Sequence, residues 1–450
     1  MILLFHLYVK MIDNGVIVGK KIRFSTLGCK LNFAESSAIV SRLRQYGALD
    51  AAQDEKADIC IVNTCTVTEV ADSKGRQAIK KIIRQNPNAL IVVTGCYAQL
   101  KHQVLQDIPG VDIIVGAEHK SQVVPLIVDA LTNNKPVGNY ETLNNIKDED
   151  FFPSCSHGDR TRYFLKVQDG CNYFCTYCTI PFARGSSRNG SIESIVQQAR
   201  QVQIEGGLEI VLTGVNTGDF GRTTGESFIQ LLLELDKIKG IKRFRISSIE
   251  PNLLTEEIVA FCAESEKFMP HFHIPLQSGS DEVLKLMHRR YDTRLFRQKV
   301  EMVKRYMTDA FIGVDVMVGC RGEKPEFFDK SFDFINSLPI SQLHVFTYSE
   351  RPGTKALEIP FVVEPKEKHE RSRRLLDLSD RKTESFYNGF ANTVRPVLFE
   401  HSSDNRFMYG FTDNYIRVMT EVNPEMFNTV QMVRLGDFNK KKEALRGIVL

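Results

Sequence analysis

Over residues 21–135, short runs of β-branched and apolar residues alternate with longer stretches in which apolar residues recur every three or four positions. The strand candidates are Ile22–Leu27, Asp58–Asn63 and Leu90–Thr94, and each is followed by a polar turn and a helix-length stretch. This alternation is typical of a doubly wound domain built on a parallel sheet. We therefore predict an N-terminal parallel α/β domain.

A second strand–helix alternation occupies residues 161–385, after a predicted linker at 136–160 that is rich in Asn, Asp, Gly and Pro. Ser191 is a candidate helix N-cap in this region, and Gly206 with Gly207 is a candidate helix stop. Six β/α units are too few for a closed eight-stranded barrel, so we predict an open, partial (β/α)6 barrel. Its predicted strands are Tyr163–Gln168, Leu208–Thr213, Arg243–Ile249, Pro270–Leu276, Phe311–Val318 and Ser341–Tyr348.

The pattern changes once more after a basic helix predicted at Lys366–Lys382. Residues 386–450 contain short runs typical of strands, at Thr393–Glu400, Phe407–Phe411, Ile416–Thr420 and Thr429–Leu435. A segment of this size with such strands predicts a small β-barrel in the manner of oligonucleotide-binding folds. The expected fold class is therefore α/β, with a small β-barrel at the C-terminal end.

The first 20 residues are interpreted as an N-terminal extension. Met1–Val9 is apolar, but no basic segment precedes it and no small-residue cleavage site follows it. The run is also much shorter than the roughly 20 apolar residues of a membrane-spanning helix. We expect translation to start at Met11, and we expect a cytoplasmic protein without a membrane partner.

Composition excludes several classes of protein. Hydrophobic residues make up 42% and charged residues 25% of the chain, which excludes a disordered polyampholyte, a collagen-like repeat and a coiled-coil rod. The net charge of +3 excludes a polycation that coats nucleic acid, so an RNA partner would be met by local basic patches. Ten cysteines in a reducing compartment suggest metal or cluster ligands where they are grouped.

The tightest group of cysteines is Cys171-Asn-Tyr-Phe-Cys175-Thr-Tyr-Cys178, a C-x3-C-x2-C run just after the first strand of the predicted barrel. Three thiolates on one loop fit an iron–sulfur cluster, and three protein ligands leave one iron open to a small molecule. A structural zinc site would need a fourth ligand. Cys155 and His157 lie close enough in the sequence to keep that alternative open.

A second set is dispersed: Cys29, Cys65 and Cys96 each follow the end of one predicted parallel strand. Because the carboxyl ends of parallel strands meet at one edge of a sheet, these loops can converge on one site. Gly28 and Gly95 permit the tight turns that would place the thiolates. We therefore predict a second cluster with three protein ligands and an open position. The alternative, isolated core cysteines, is our interpretation of Cys60, Cys262 and Cys320.

These motifs resemble known families. The C-x3-C-x2-C loop resembles the radical S-adenosylmethionine superfamily, and the dispersed cysteines resemble the methylthiotransferases within it, over nearly the whole chain including a TRAM-like C-terminal domain. Thr26-Leu-Gly-Cys-Lys-Leu-Asn32 and Asn63-Thr-Cys-Thr-Val-Thr-Glu-Val-Ala-Asp72 look like the enzymes acting on N6-threonylcarbamoyladenosine in tRNA. Relatives acting on isopentenyladenosine tRNA or on a ribosomal-protein aspartate carry different residues around the same cysteines.

The resemblance implies an enzyme with two [4Fe-4S] clusters. The C-x3-C-x2-C cysteines would hold the cluster that binds and reductively cleaves S-adenosylmethionine, yielding a radical able to attack the adenine C2–H bond. The dispersed cysteines would hold the cluster that carries the sulfur, and a second S-adenosylmethionine would supply the methyl group. The product would be a methylthio group at C2 of threonylcarbamoyladenosine beside the anticodon (position 37). The expected partners are tRNA, a flavodoxin- or ferredoxin-type electron donor and a sulfur source, and we expect a monomer.

Candidate contacts to S-adenosylmethionine lie elsewhere in the predicted barrel. Tyr177 lies against the adenine or serves ordinary packing, and the Gly214-Val-Asn216 turn lets the backbone approach the methionine end of the ligand. This turn lacks the spacing of a dinucleotide fingerprint. Arg289 pairs either with the cofactor carboxylate or with a partner on the surface. The candidates expected at the mouth of the barrel, near its strand ends, are Ser248, Gln277 and Arg289.

One loop departs from the family pattern. Val318-Gly-Cys320-Arg321-Gly-Glu323 stands where relatives usually read Gly-Phe-Pro-Gly-Glu. That loop borders the cofactor in the resembled fold, so Cys320 puts its local geometry in doubt.

Basic segments are candidates for the RNA surface. The predicted helix after Cys65 carries five basic residues against Asp72, and Lys366–Lys382 carries seven against four acidic ones. Such patches either contact phosphates or are ordinary solvated helix faces. In the C-terminal domain, stacking and phosphate pairing would fall to Arg406, Phe407, Tyr409 and Arg417. The basic residues of the helix after Cys65 are Lys74, Arg76, Lys80, Lys81 and Arg84.

Other functions remain open from the sequence alone. A methylthiotransferase acting on another target is one, a non-catalytic iron–sulfur RNA-binding regulator is a second, and a zinc-binding structural module is a third. A regulator would not need two clusters that each lack one protein ligand.

Overall fold

The computed structural model describes residues 15–133, 151–156 and 161–450. The apolar run at Met1–Val9, the proposed start at Met11, His157 and most of the predicted linker lie outside the described residues. The chain divides into two compact units. The first comprises the described part of residues 1–157 with 169–172 and 178–190, and the second comprises the described part of 158–168 with 173–177 and 191–450.

The first unit is built on a parallel sheet of five strands in the order β2-β1-β3-β4-β5. The strands are β1 Lys21–Thr26, β2 Leu49–Asp50, β3 Ile59–Thr64, β4 Leu90–Gly95 and β5 Ile113–Gly116. The α-helices are α1 Lys30–Gln45, α2 Glu69–Gln85, α3 Cys96–Leu100, α4 His102–Gln106, α5 Val123–Asn133 and α6 Ile180–Arg184, with a 3-10 helix at Ala117–Gln122.

Both faces of this sheet are covered by apolar side chains. On one face, Ile22, Ile61 and Val92 pack with residues of α1 and α5 such as Ile39 and Ile127. A second cluster joins the strands to α2 through residues that include Val62, Val93 and Ile79. Burial on both faces explains why β3 and β4 read as largely continuous apolar runs, whereas β1, with the sequence KIRFST, alternates.

The second unit contains six parallel strands, arranged as two three-stranded sheets in the orders β10-β9-β6 and β11-β12-β13. Isolated bridges at Phe244–Phe268 and Ser248–His273 join the two sheets, so the strands follow one another in sequence order as in a partial barrel. The strands are β6 Arg162–Lys166, β9 Glu209–Thr213, β10 Arg243–Ile246, β11 His271–Gln277, β12 Phe311–Val318 and β13 Gln342–Thr347. The two-residue strands β7 Gln168–Asp169 and β8 Arg188–Asn189 flank the cysteine loop in the sequence, and β8 belongs to the first unit.

The helices of this unit follow its strands. They are α7 Ile192–Ile204, α8 Phe228–Asp236, α9 Glu256–Glu264, α10 Asp281–Leu286, α11 Thr293–Tyr306, α12 Pro325–Ser337 and α13 Pro365–Asn388, with 3-10 helices at Thr217–Asp219, Lys355–Glu358 and Pro424–Met426. Ser191 caps α7 as predicted, since its hydroxyl accepts a hydrogen bond from the Ser194 amide at 3.2 Å.

A closed β-barrel in the order β14-β15-β16-β18-β17 ends the chain. Its strands are β14 Val394–Phe399, β15 Phe407–Thr412, β16 Arg417–Glu421, β17 Val430–Asn439 and β18 Ala444–Val449. Phe311 and Tyr387 contribute to its apolar core. Buried Arg245 ties it to the parallel strands by donating to the carbonyls of Thr412 and Asp413, at 2.8 Å each.

The predicted fold class is confirmed: parallel α/β sheets followed by a small closed β-barrel. The predictions omitted the strands Leu49–Asp50, Ile113–Gly116 and Ala444–Val449. None of the helices in the described residues has both the length and the apolar character that a membrane-spanning helix needs.

Candidate cluster and cofactor sites

The dispersed cysteines stand just beyond the ends of three neighbouring parallel strands. Cys29 follows β1 and occupies the N-cap position of α1, Cys65 directly follows β3, and Cys96 directly follows β4 and begins α3. Cys29 is exposed, whereas Cys65 is 8% and Cys96 is 3% exposed. The sheet therefore brings these three thiols to one edge.

Two glycines allow the loops that carry these thiols to approach closely. Gly28 has φ +105°, and a Cβ there would lie 2.7 Å from the Cβ of Cys65. Gly95 has φ +106°, and a Cβ there would lie 2.3 Å from the carbonyl oxygen of Thr64. A side chain at either position would push the loops apart, so glycine is required by space as well as by backbone conformation.

Asparagine side chains lock the same loops together. Asn32 donates to the carbonyls of Leu27 at 2.8 Å and Thr64 at 3.2 Å. Asn63 donates to the carbonyl of Asn32 and to the Ser36 hydroxyl, at 3.0 Å each. Both amides are buried, and the loops are thus held in place by buried hydrogen bonds.

Burial and mutual proximity shape the chemistry of the thiols. Burial, with a smaller contribution from the neighbouring Cys96 and Cys29, raises the pKa of Cys65 to about 11. Burial also raises the pKa of Cys96, while Arg184 and Lys120 act to lower it. The three thiols therefore form one interacting group, and ligand binding there must release protons.

A buried ionic group adjoins this site. Arg184 pairs with Glu35 at 3.1 Å and with Asp169 at 2.8 Å, and Lys120 forms a further ion pair with Glu35. The side chains of these four residues are at most 2% exposed. Arg184 and Lys120 act on Cys96 in the direction that favours its thiolate, the form that a cluster ligand takes.

The spacing of the thiols also tests the zinc alternative. One zinc ion with Zn–S bonds of about 2.3 Å would hold its thiolates within about 4 Å of one another. In the described part of the chain, the sole group of three His, Cys, Asp or Glu ligand atoms within 4.8 Å of one another is that of His273, Asp315 and His344. The thiols of Cys29, Cys65 and Cys96 are thus not all within the distance that one zinc ion would impose on its ligands.

Each cysteine of the C-x3-C-x2-C loop makes a hydrogen bond to a residue outside the loop. In the first unit, the Cys171 amide donates to the Gly185 carbonyl at 3.1 Å, and the Cys178 sulfur accepts from the Ile180 amide at 3.4 Å. In the second unit, the Cys175 sulfur accepts a hydrogen bond from Arg289 at 3.2 Å. The ten cysteines all lie in the described residues and form no disulfide, as a cluster-binding role requires.

The turn after β9 carries buried polar groups. The backbone amide of Asn216 donates to Gln168 at 2.9 Å. The Asn216 side chain is 2% exposed; its Nδ2 and Oδ1 atoms make no well-oriented hydrogen bond among the described residues, and the Tyr173 hydroxyl lies within reach of this amide. A Cβ on Gly214 would lie 3.0 Å from the Gln168 amide oxygen. A buried amide with so little hydrogen bonding can still bind a polar ligand.

Tyr177 and Cys320 share one apolar cluster with Met287, Tyr348 and Ala356. Cys320 is 4% exposed, so the residue that departs from the family pattern fills core volume. Its loop is held by Glu323, which accepts from the Gly319 amide at 2.6 Å and from Arg371 at 2.9 Å. The isolated cysteines Cys60 and Cys262 are likewise buried.

The other three candidates lie at strand ends or in the next loop. The Ser248 carbonyl accepts a hydrogen bond from the Thr217 hydroxyl at 2.8 Å. Gln277 ends β11 with φ +66°, a conformation that costs energy for a residue other than glycine. Arg289 contacts Glu250, Tyr291 and Cys175, and its side chain is 3% exposed. It is therefore not paired with a partner on the surface, which was the alternative to a cofactor contact.

A polar triad lies on neighbouring strands β11, β12 and β13. Asp315 accepts from His273 at 2.7 Å and from His344 at 3.3 Å. Burial acts to raise the pKa of Asp315, but these hydrogen bonds hold it well below its usual range. No motif or spacing in the sequence singles out these three residues.

The basic helices are less available to RNA than their charge count suggests. In α2, Arg76 donates to the Tyr97 hydroxyl at 2.9 Å, while its other four basic residues are exposed. In α13, Arg371 is 1% exposed and Lys382 donates to backbone carbonyls. In the C-terminal barrel, the Arg417 guanidinium lies 4.2 Å from the Tyr409 ring centre, and Arg406 lies over Phe407 at 5.6 Å.

The sequence reading missed the buried ionic group of Arg184, Glu35 and Lys120. Glu35 lies on a helix and Arg184 just after the cysteine loop, where charged residues are ordinarily exposed. The nearness of Arg184 to the C-x3-C-x2-C motif was the available signal.

Comparison with known proteins matches both units. The family described as "Uncharacterized protein family UPF0004" matches residues 21–116, and the radical SAM superfamily matches residues 165–335. The chain is 37% identical to threonylcarbamoyladenosine tRNA methylthiotransferase MtaB of Bacillus subtilis over 92% of this chain and 93% of the relative. It is 31% identical to a tRNA-2-methylthio-N(6)-dimethylallyladenosine synthase of a Hydrogenobaculum species, over 86% and 90%.

Among solved structures, the fold is similar to the radical S-adenosylmethionine methyltransferase TsrM of Kitasatospora setae. The TM-score is 0.56 at 13% identity, over 75% of this chain and 74% of that one. At this identity the likeness concerns the fold alone.

Proposed function

Because this chain belongs to the radical SAM methylthiotransferase family, we propose that it inserts a methylthio group at C2 of N6-threonylcarbamoyladenosine 37 in tRNA. The observation that carries this proposal is the meeting of Cys29, Cys65 and Cys96 at one sheet edge, in a chain that also has the C-x3-C-x2-C loop. A simple radical enzyme needs the loop alone, and the second set of thiols supplies a place for sulfur.

We propose that each set of cysteines holds a [4Fe-4S] cluster with one iron free of protein ligands. When bound, the clusters and S-adenosylmethionine supply the one-electron chemistry that an aromatic C–H bond requires, together with the sulfur and the methyl group. The chain's own contribution is to place the thiolates at the strand ends and to orient the ligands. Arg184 and Lys120 offset the negative charge that collects at Cys29, Cys65 and Cys96.

The S-adenosylmethionine site is proposed along the β9 turn and the neighbouring strand ends. Asn216 offers a buried amide that can donate to and accept from a polar ligand, and Gly214 keeps the adjacent space open. Tyr177 lies within the loop itself and is a proposed contact to the adenine, beside its packing against the Met287 and Tyr348 cluster. Ser248 and Gln277 remain proposed contacts by their position at the strand ends.

The tRNA substrate is proposed to be the threonylcarbamoyl form on two grounds. The chain is 37% identical to a relative named for that nucleoside, against 31% for one named for the dimethylallyl form. The residues around Cys29 and Cys65 also resemble the first group. Exposed basic residues of α2 and α13 and the cation–aromatic pairs of the TRAM-like barrel are the proposed RNA contacts.

We further propose that the enzyme works as a monomer in the cytoplasm, with a flavodoxin- or ferredoxin-type reductant and an external sulfur source. The five-part organisation also stays a proposal: an extension at 1–20, a methylthiotransferase domain at 21–135, a linker at 136–160, a radical SAM core at 161–385 and a TRAM-like domain at 386–450.

The test is to digest total tRNA from cells with and without this gene and to compare the nucleosides by mass spectrometry. We expect the methylthio form of threonylcarbamoyladenosine to disappear and its unmodified precursor to accumulate. The wild-type gene should restore the product, and a Cys175→Ala gene should not. Loss of methylthio-isopentenyladenosine instead would reassign the substrate, and an unchanged profile would contradict a tRNA substrate.

A further inference from the structure

Arg289 is a buried cation that contacts one of the cysteines of the C-x3-C-x2-C loop. Its Nη1 donates to the sulfur of Cys175 at 3.2 Å, and its Nε donates to the Tyr291 hydroxyl at 2.9 Å. Its Nη2 forms an ion pair with Glu250. The Arg289 side chain is 3% exposed and that of Glu250 is 13% exposed. Three of the five guanidinium donors are therefore engaged within the protein.

Tyr291, one of the residues that bind Arg289, is itself held in place. The Tyr291 hydroxyl that accepts from it is anchored on the carbonyls of Pro275 and Leu276, at 2.7 and 2.9 Å. Burial raises the pKa of Tyr291, so the hydroxyl keeps its proton at neutral pH. The guanidinium is therefore held in one orientation rather than free to follow a ligand.

The loop that carries Cys175 is tied to the same segment. Thr176 donates from its amide to the Met287 carbonyl at 3.1 Å and from its hydroxyl to the Leu286 carbonyl at 2.9 Å. Together with the contact from Arg289, these bonds fix the Cys175 sulfur relative to the guanidinium.

We propose that Arg289 is a positioning residue that raises the reduction potential of the cluster held through Cys175, and that Glu250 moderates this effect. This inference rests on the proposed function, which supplies the cluster. Reduction adds one negative charge to a cluster, so a fixed positive charge and a hydrogen bond to a ligand sulfur both favour the reduced state. The Glu250 carboxylate, paired with the same guanidinium, offsets part of its charge.

The test uses the full chain with Cys29, Cys65 and Cys96 replaced by Ala, so that all iron belongs to the C-x3-C-x2-C loop. After anaerobic reconstitution, iron content and the paramagnetic resonance signal of the reduced cluster are recorded during a redox titration. In Arg289→Gln, we expect the equilibrium constant for one-electron reduction to fall at least tenfold, which is about 59 mV in potential. In Glu250→Gln we expect a shift in the opposite direction.

Two further variants separate charge from structure. Arg289→Lys keeps the positive charge and should lower the potential less than Arg289→Gln does. Arg294→Gln removes an arginine that is 84% exposed on α11 and should leave the potential unchanged. If Arg289→Gln fails to hold a cluster, the other two variants still test the proposal. The reduction potential should then fall slightly in Arg289→Lys and rise in Glu250→Gln.

The outcomes distinguish this inference from the proposed function. Unchanged potentials, or shifts of the same sign in Arg289→Gln and Glu250→Gln, would overturn the role of Arg289 while the cluster assignment stands. A parent chain that binds no iron would overturn the cluster ligands themselves, and the role of Arg289 with them.

Discussion

Arg184 and Glu35 form a doubly hydrogen-bonded ion pair, with 3.1 Å between Nη1 and Oε1 and 3.2 Å between Nη2 and Oε2. Neither side chain is more than 2% exposed. The same guanidinium acts electrostatically on Cys96, and Lys120 shares the Glu35 carboxylate. The pair therefore connects the helix α1 that follows Cys29 with the segment that follows Cys178.

Removing Arg184 should destabilise the first unit strongly. Arg184→Met leaves Glu35 with one cation fewer and deprives Asp169 of a partner at 2.8 Å. Breaking a buried ion pair by removing one partner costs about 3–5 kcal/mol. Urea unfolding followed by circular dichroism would measure the loss.

Arg222→Met is the matched control, because Arg222 is 52% exposed and lies 3.8 Å from Asp219. Its effect should stay within about 1 kcal/mol, and equal losses in the two variants would contradict the argument.

Replacing one cysteine of the radical loop should remove one cluster and leave the other. In Cys175→Ala we expect about four iron atoms per anaerobically reconstituted chain in place of about eight, with no cleavage of S-adenosylmethionine. Iron analysis and chromatography of the cofactor products would measure both. Cys262→Ala is the control, since Cys262 is a buried core residue of α9, and it should keep the full iron content. Undiminished iron in Cys175→Ala would show that the ligands are assigned wrongly.

The parts of the fold that could be predicted are those with local signals. The strands before Cys65 and Cys96 are largely continuous apolar runs because both faces of the sheet are covered, and each ends directly before its cysteine. The strand before Cys29, with the sequence KIRFST, alternates instead. The strand Ile113–Gly116 has only four residues, and Ala444–Val449 alternates weakly between buried and exposed positions. Such short or weakly patterned strands are specified by their neighbours rather than by their own sequence.

The cysteines of the candidate site could be singled out from the sequence, whereas its buried charged residues could not. Cysteine spacing is a property of the chain itself, whereas the burial of Arg184, Arg289 and Arg371 depends on partners far away in sequence. Arg371 illustrates the point: counted among the basic residues of a candidate RNA helix, it is instead bonded to Glu323, 48 positions earlier. A charge count cannot separate an exposed arginine from a buried one.

The stability that Asp315 contributes should depend on pH in a defined direction. Hydrogen bonds from His273 and His344 hold the pKa of Asp315 below its usual value, despite the opposing effect of burial. A lowered carboxyl pKa adds stability that is fully present above the unfolded value of about 3.9 and is lost as the pH falls below it. We expect Asp315→Asn to cost about 1–3 kcal/mol at pH 7.

The difference between wild type and Asp315→Asn should therefore shrink as the pH is lowered below about 4. Urea unfolding of both proteins at pH 7, 5 and 3.5 would measure it. Asp329→Asn is the control, because that side chain is 61% exposed beside Arg374, and we expect a small difference at every pH. A constant cost of Asp315→Asn across this range would show that the carboxylate is not held ionised by the two histidines.

The Arg417–Tyr409 pair of the C-terminal barrel offers a test of RNA binding in which charge and stacking separate. The guanidinium lies 4.2 Å from the ring centre, and both residues are half-buried on adjacent strands. If Arg417 meets a phosphate, Arg417→Gln should weaken tRNA binding and reduce the slope of log affinity against log salt by about 1. Tyr409→Ala should remove about 1–3 kcal/mol of stacking and leave that slope unchanged.

Filter binding of tRNA at 50 to 300 mM salt, roughly the range in which phosphate contacts dominate, would measure both quantities. Arg417→Lys keeps the charge and should retain the slope while losing affinity. Equal slopes and affinities in all four proteins would place the RNA contact of this barrel elsewhere.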